Sequence, residues 1–496
     1  MEFKSGESRT QALLMPDCVD DYVGAEDPVR FIDVFITTLD LEELQFTRPH
    51  PKETGRPAYD PKDLLKLYVW GCLNRVRSSR RLETETKMNL GAIWLLGRLT
   101  PDYRTIARFR QENAGVLKQV FRSFVKECMK WGLYGRELAA LDGSKFKAVN
   151  AKDRTFTKEK LQKRIERIDE KVQEYLFELD ANDTAEAALD QAPVVDLKRI
   201  IGELRERKTR YQGYLEELET TGEPQKSLTD PESRLMVNNG KGEVGYNVQT
   251  VVDAKYKLIA EFEVTNQCND RNQIAPMGKK AQEILETDTL KVITDAGYDS
   301  AQDIVEAMRD GIEVHVAGTD FDVCLPVEEG EDQREIASHQ DGRCVYLRDR
   351  NIAVCPMGKV LYPGWYKKSR GHGVFYNREA CKQCTCKCTK EKYGRKYQVP
   401  LPEGRFTKEY NDEGLKVRQR RITGDKGLVK ERKSIAEHPF GTVKQSMDGR
   451  YCLLKGIQKV RGEFSLLFLA YNIKRAIKIL GIRRMLEAYR PLSVAA

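Results

Sequence analysis

Three acidic residues stand where short apolar runs or a helix would fix them. Leu138-Ala139-Ala140-Leu141 is an apolar run ending at Asp142-Gly143-Ser144, and Leu290-Lys291-Val292-Ile293-Thr294 ends at Asp295 in the same way. Both runs read as buried strands, and a strand end can hold a carboxylate still. Glu437 follows a basic stretch and opens a helical segment that runs to about Tyr489. Two strand-end aspartates and a helix-borne glutamate suit metal-assisted phosphoryl transfer, because hard Mg²⁺ ions prefer carboxylate oxygens and keep several waters. Two such ions, ~3.5–4 Å apart, activate an attacking oxygen and stabilise a leaving one. The three acids lie far apart in the chain, so only a fold can join them. On the residues alone, strand-end acids serve equally well as helix caps and turn formers. Asp299, just before Ser300, reads as such a cap.

Other chemistry has less support. His50, His315, His339, His372 and His438 are scattered, and neither a Gly-x-Ser-x-Gly elbow nor a phosphate-binding Gly-x-x-x-x-Gly-Lys loop occurs. His438 adjoins Glu437 but points some 100° away on a helix, which makes it structural. One cysteine cluster stands out: Cys355, then Cys381, Cys384, Cys386 and Cys388, with Cys344 and His372 nearby. A CxxC pair with an upstream cysteine can supply a structural Zn²⁺ with its four ligands. The crowded spacing allows several ligand sets, and reduced surface thiols among Lys382, Lys387 and Lys390 are the alternative.

The elements that must position these groups follow from composition and periodicity. The chain has 496 residues, a formal charge of +8 and a charged fraction of 32%. At ~100–200 residues per domain, that length allows two to four domains and excludes a single small module. The mean hydropathy is −0.58 and the pI about 8.7, which points weakly to an anionic partner. No run approaches the ~18–20 apolar residues of a membrane helix, since Phe464 to Leu469 is soon followed by Asn472, Lys474 and Arg475. The first residues, MEFKSGESRT, lack an export pattern, so a cytoplasmic location is the default expectation. Twelve cysteines are too dilute for a disulfide scaffold, and Cys72, Cys128 and Cys452 read as reduced core residues.

We read residues 1–135 as a helical DNA-binding domain. Leu64, Leu65, Leu67, Tyr68, Trp70 and Leu73 form an apolar face ahead of Arg75, Arg77, Arg80 and Arg81. Thr100-Pro101-Asp102 opens a helix carrying Arg104, Arg108 and Arg110, a helix-turn-helix pattern whose alternative is a helical domain with a solvated basic surface. Residues 136–154 begin the core. In residues 155–222 two heptad seams face each other, Leu161, Ile165, Ile168, Val172, Tyr175 and Leu179 against Leu197, Ile201, Leu204, Tyr211, Leu215 and Leu218, broken at Lys208. They predict an antiparallel helical hairpin that serves as scaffold or assembly surface. Residues 223–316 resume the core with a β-hairpin turning at Asp253, a helix over 274–285, the strand ending at Asp295, a helix over 301–308 and a strand over 312–316. Residues 317–425 lack periodicity and read as an irregular, cysteine-containing insertion. Residues 426–496 return as core helices bearing the third acid.

Several ordered blocks resemble the DDE transposases of bacterial insertion sequences, within the ribonuclease-H-like integrase superfamily. "RPAYDPKDLLKLYVWGCLNRVRSSRRLE" and "LTPDYRTIARFRQEN" resemble the opening helical domain, and "LTDPESRLM", "VGYNVQTVVD" and "VTNQCNDRNQIAPM" the core before the second acid. "ITDAGYDS" resembles the second-acid block and "RKSIAEHPFGTVK", with its EHPFG signature, the third. The resemblance implies a mixed α/β fold with a ribonuclease-H-like catalytic core. It implies that Asp142, Asp295 and Glu437 bind two Mg²⁺ or Mn²⁺ ions. It also implies cleavage at transposon ends, strand transfer into target DNA, and a working complex of at least two subunits on terminal inverted repeats. Glu431 competes for the third-acid position, but only Glu437 has the family's lysine seven residues on, Lys444. Pro439 sits in a first helical turn or kinks the helix. Lys430 and Lys433 replace the family's tyrosine and arginine, keeping charge but losing the stacking face and the bidentate fork. Lys430, Arg432, Lys433, Lys444, Arg80, Arg81, Arg104 and Arg108 are the expected DNA-phosphate contacts. A catalytically silent DNA-binding regulator and a nuclease that cuts without joining are the rival readings.

Overall fold

The structure is a computed structural model that describes residues 18–47, 50, 57–150, 152–185, 194–238, 240–298, 300–316, 325–326, 344–347, 352–368, 371–384, 395–400 and 426–489. Six helices come first: α1 (Pro28–Thr37), α2 (Pro61–Leu73), α3 (Ser79–Met88), α4 (Leu90–Leu95), α5 (Tyr103–Asn113) and α6 (Leu117–Lys130). Five of them start where a short polar side chain accepts the first free N–H groups. Asp27 accepts from Val29 N, Asp60 from Lys62 N, Ser78 from Arg81 N, Asn89 from Gly91 N, and Asp102 from Arg104 N and Thr105 N.

The main sheet is built from β1 (Leu138–Lys147), β4 (Arg234–Asn238), β5 (Lys241–Asp253), β6 (Ile259–Thr265), β7 (Leu290–Thr294) and β8 (Ile312–Val316). β1 runs antiparallel to β5 on one edge and parallel to β7 on the other, and β8 extends the parallel side. β6 and β4 share the far edge of β5, at its two ends. β1 does not end at Asp142: it continues to Lys147 against β5. The apolar run marks only the part flanked on both sides, since pairing with β7 stops at Ala140. Asp253 does serve the hairpin turn, accepting from Lys255 N, and it also receives Gly135 N and Arg136 N at the entry to β1.

α9 (Ile274–Leu285) and α10 (Ala301–Arg309) pack against each other, with the buried Asp303 of α10 accepting Ile274 N and Ala275 N at the start of α9. Asp299, expected to cap α10, lies outside the described residues, and the N-cap Ser300 makes no side-chain cap bond. The other face of the sheet carries α12 (Lys426–Gly441), which lies over β1, β5, β7 and β8. The long α13 (Ile457–Leu480) packs on α2, α6 and β6, and α14 (Ile482–Glu487) follows it. Asn472, one of the residues that break the apolar run of α13, clamps β6 by accepting Ile259 N and donating to Ile259 O.

The first six helices share one continuous apolar core with the sheet and α13. Phe121 of α6 meets Phe262 of β6 at 5.2 Å between ring centroids, and Phe262 meets Phe468 of α13 at 5.0 Å. Charge reinforces the junction. Arg77 pairs with Glu463, both buried, and also donates to Asp448 O and Tyr451 O. Arg110 is buried as well, donating to Arg77 O and lying over the Tyr68 ring. These two arginines of the predicted basic surface are therefore internal struts.

The predicted hairpin is present as α7 (Lys158–Ala185) and α8 (Val194–Thr221), joined at its base by β2 (Thr155–Thr157) and β3 (Gln225–Ser227). Ile168, Val172 and Ile201 are buried in its seam, Leu161 and Leu218 at its base, while Leu179's side chain lies outside the described residues. Lys208, where the heptads break, pairs with Asp169 across the seam at 2.6 Å. The segment expected to be irregular contains a second sheet: β9 (Leu325–Pro326), β10 (Val345–Leu347), β11 (Ile352–Val354), β12 (Val360–Lys367), β13 (His372–Tyr376) and β14 (Lys396–Pro400), with the short α11 (Arg378–Lys382) between the last two. Half of these strands have three residues or fewer, too short to show a period in sequence, and the sheet closes on its own small core of Tyr346, Leu361, Phe375 and Val399.

Candidate active site

The parallel register of β1 and β7 pairs Ala140 with Ile293, so two residues further on Asp142 and Asp295 stand side by side at the point where β7 stops. Asp142 is mostly buried and accepts its neighbour Gly143 N at 3.0 Å. Asp295 accepts Gly297 N at 2.8 Å, which turns the chain into a short 3₁₀ segment ending at the buried Tyr298. Burial pushes the Asp142 carboxyl up to about 7; Arg432 opposes this, and the charges of Asp295 and Asp270 add to it. Two acids side by side at the mouth of a sheet, one of them raised chiefly by its burial, form the kind of carboxylate pair that can hold a divalent cation.

Asp270 is the residue that sequence reasoning missed. It lies between β6 and α9 and accepts Asn247 Nδ2 and Gln249 Nε2 at its Oδ1, each at 2.7 Å. The hydroxyl of Tyr298 donates to Gln249 Oε1. All four residues fall inside the sequence blocks that resemble the core, which was the available signal, but nothing in their spacing assigns them a joint task.

From the other face, α12 sends Arg432 to Asp142, with Nη1 3.7 Å from Oδ1. Ile435, Ala436, Pro439 and Phe440 are buried on α12, and Phe440 meets Phe146 at 6.0 Å between ring centroids. Glu437 falls outside this inward set and is exposed. The expected triad is thus not gathered: among the described residues no three His, Cys, Asp or Glu side chains are placed to hold one metal ion. Pro439 lies inside the helix rather than in its first turn, and a π-turn over Thr442–Ser446 follows it. That turn breaks the simple seven-residue repeat between Glu437 and Lys444. Lys444 still reaches the site: its Nζ donates to Ser144 Oγ at 2.6 Å and sits 4.5 Å from the centroid of the Phe146 ring. Burial lowers its pKa while the charges of Asp142 and Glu243 resist. His438 is structural, as expected. Tyr471 gives its only hydroxyl proton to Lys257 O, so His438 Nδ1 must donate to the tyrosine oxygen, 2.8 Å away.

A basic groove leads away from Lys444. Two adjoining cavities, about 420 and 290 Å³, share Lys444, Gln445 and Arg450; Arg75 and Arg81 line the first, Lys145 and Lys147 the second. Arg450, Lys145 and Lys147 were not expected there. Of the arginines predicted to meet DNA, Arg80 and Arg104 flank the Tyr103 ring, Arg108 is exposed and Arg81 is in the groove. Lys433 is exposed beside Arg432, and the Lys430 side chain lies outside the described residues.

The zinc reading finds no support. Cys355, Cys381 and Cys384 are free, partly exposed thiols, Cys344 is disulfide-bonded, and Cys386 and Cys388 lie outside the described residues. No described helix is long and apolar enough to cross a membrane.

A sheet whose switch from antiparallel to parallel pairing carries two adjacent aspartates, bordered by a basic groove, is an arrangement suited to chemistry on phosphodiesters. Three protein-family models match the chain in order: a transposase domain (DUF772) over residues 17–112, and two transposase DDE domains over residues 217–356 and 354–477. The chain is a DDE transposase of an insertion sequence, an enzyme that cleaves DNA and transfers strands. No curated protein matches it. Among solved structures it is similar to the cryo-EM structure of the piggyBac transposase synaptic complex with hairpin DNA, at 9% identity over 94% of this chain and 79% of that one, with a TM-score of 0.30.

Proposed function

We propose that this transposase cuts at the ends of its own element and joins the freed ends to target DNA through a site built on Asp142 and Asp295 and completed by Glu437. The observation that carries the reading is the β1/β7 register, which places the two aspartates together from positions far apart in sequence. Their donor chemistry fits Mg²⁺ or Mn²⁺, since both present hard carboxylate oxygens. Such ions, when bound, lower the pKa of an attacking water and stabilise the leaving oxygen. The chain's own residues do the rest. Asp142 and Asp295 hold the site open at the end of β7, and Lys444 presents its ammonium two residues along β1 from Asp142. Glu437, exposed on the same helix as Arg432, is the third acid that the family pattern assigns. Water attacks phosphorus and breaks its bond to the 3′-oxygen, leaving a 3′-hydroxyl and a 5′-phosphate. That 3′-hydroxyl then attacks a target phosphodiester, forming one bond as the target's 3′-oxygen leaves.

The strand order β6-β5-β1-β7-β8, with three antiparallel strands followed by two parallel ones, supports a ribonuclease-H-like core. Because a transposition event engages two DNA ends, the working complex is at least a dimer. The test is cleavage of DNA carrying the element's flanking sequences in Mg²⁺ or Mn²⁺, beside Asp142→Asn and Glu437→Gln. Defined 3′-hydroxyl ends that join a second DNA, and vanish in both variants, are expected. Cleavage that survives in either variant overturns that residue's role.

A further inference from the structure

We infer that Asp270 is a further acid of the cation site, its second oxygen holding a water of the hydrated divalent ion that sits between Asp142 and Asp295. This rests on the reading of those two aspartates as the ion's ligands. Asp270 is wedged between their strand ends. A Cβ on Gly143, the residue after Asp142, would collide with Asp270 Oδ1 and Gln249 Nε2. A Cβ on Gly297, two residues after Asp295, would stand 2.9 Å from Asp295 Oδ1 and 3.7 Å from Asp270 Oδ2. Gly143 thus leaves room for the Asp270 carboxylate, and Gly297 marks where its other oxygen comes near Asp295.

Its orientation is set from outside. Tyr298 donates to Gln249 Oε1, which turns the amide's NH₂ onto Asp270 Oδ1, and Asn247 adds a second donor there. Among the described residues no hydrogen bond uses Asp270 Oδ2. A second feature points to a missing donor. Asn247 is fully buried, and its Oδ1 has no hydrogen-bond partner although its Nδ2 is bonded to Asp270. Flipping the amide would set two acceptors against each other, so the orphan oxygen is a consequence of the site. Asp270 Oδ2 and the carboxylates of Asp142 and Asp295 are all acceptors, and water bound to a cation is the donor that suits them. No three described acids stand close enough to share one ion directly, which gives Asp270 a water-mediated place rather than direct ligation.

The test is Mn²⁺ titration by calorimetry on the full chain without DNA, comparing the parent with Asp142→Asn, Asp295→Asn and Asp270→Asn. The last of these substitutions keeps an oxygen for the two amide donors and removes only the charge. We expect Asp142→Asn and Asp295→Asn to lose binding, and Asp270→Asn to bind about tenfold more weakly. The Asp270→Asn melting temperature in chelator should be unchanged or higher, because one of three clustered charges is gone. Affinity within twofold of the parent in Asp270→Asn, while the other two variants lose binding, overturns the role of Asp270 and leaves the pair standing. Parent-like binding in Asp142→Asn and Asp295→Asn overturns the pair itself. Should Asp270→Asn not fold, Asn247→Ala carries the same comparison, with a threefold or greater loss expected and parent-like affinity overturning the assignment.

Discussion

Two groups of carboxylates on one sheet meet opposite fates. On β6, Glu261 is fully buried yet meets Lys118 at 2.8 Å and Arg122 at 2.6 Å. Its neighbour Glu263 has Lys118, Lys280 and Arg461 around it. Burial alone would raise Glu263, but these cations overcome it and hold its carboxyl at about 2. At the end of β7, burial pushes the Asp142 carboxyl up to about 7; Arg432, 3.7 Å away, opposes this, and two like-charged neighbours add to it. The first group is neutralised by the chain and joins α6, α9 and α13 to the sheet. The second is left short of positive charge, which is the condition for binding a cation from outside. An ion network that is complete holds a structure together; one that is incomplete is available for chemistry.

The sharpest break in this comparison is at the incomplete site. Asp295→Asn should abolish strand cleavage in Mg²⁺, read on a sequencing gel, while leaving the fold intact by circular dichroism. At the complete site the effect should be on stability. Glu261→Gln strands Lys118 and Arg122 beside a buried amide and should cost about 3–5 kcal/mol in urea unfolding, the range for breaking a buried pair. Glu263 extends this to pH. Because its folded pKa lies below the unfolded value, its stabilisation is present above about pH 4.5 and drains away as pH falls toward 2. Glu263→Gln should flatten that part of the melting curve against pH.

Asp142 should behave in the opposite sense. Its folded pKa lies above the ordinary carboxylate value, so stability falls as pH rises from about 4 to about 7. Asp142→Asn should therefore melt a few degrees above the parent at pH 8 and equal it at pH 4, and Mg²⁺ should narrow the gap by stabilising only the parent. The smallest expected effect lies in the groove. Arg450→Gln should weaken DNA binding for all sequences alike and reduce the slope of log affinity against log salt by about one, as for a single lost phosphate contact.

What the sequence determined by itself was local. The opening of α5 at Asp102, the heptad seams of the hairpin and the apolar run that stops before Asp295 are set by side chains within a few residues, and they form as read, whereas the run ending at Asp142 is a strand that goes on to Lys147. The family blocks named the acids without saying how they meet. The tertiary structure decided which charges find partners. Arg77 and Arg110 belong to the same basic stretches as Arg81 and Arg108, yet packing drew Arg77 inward to Glu463 of α13 and Arg110 of α5 over the Tyr68 ring of α2. Asp270 carries no periodic signal, and only the pairing of β1 with β5 and β7 brings Asn247, Gln249 and Gly297 around it. Glu437 keeps its family position but lies off the inward set of residues on α12. Secondary structure answers to neighbours in the chain, whereas the free energy of a charge depends on its surroundings in space, and those exist only once the fold has closed.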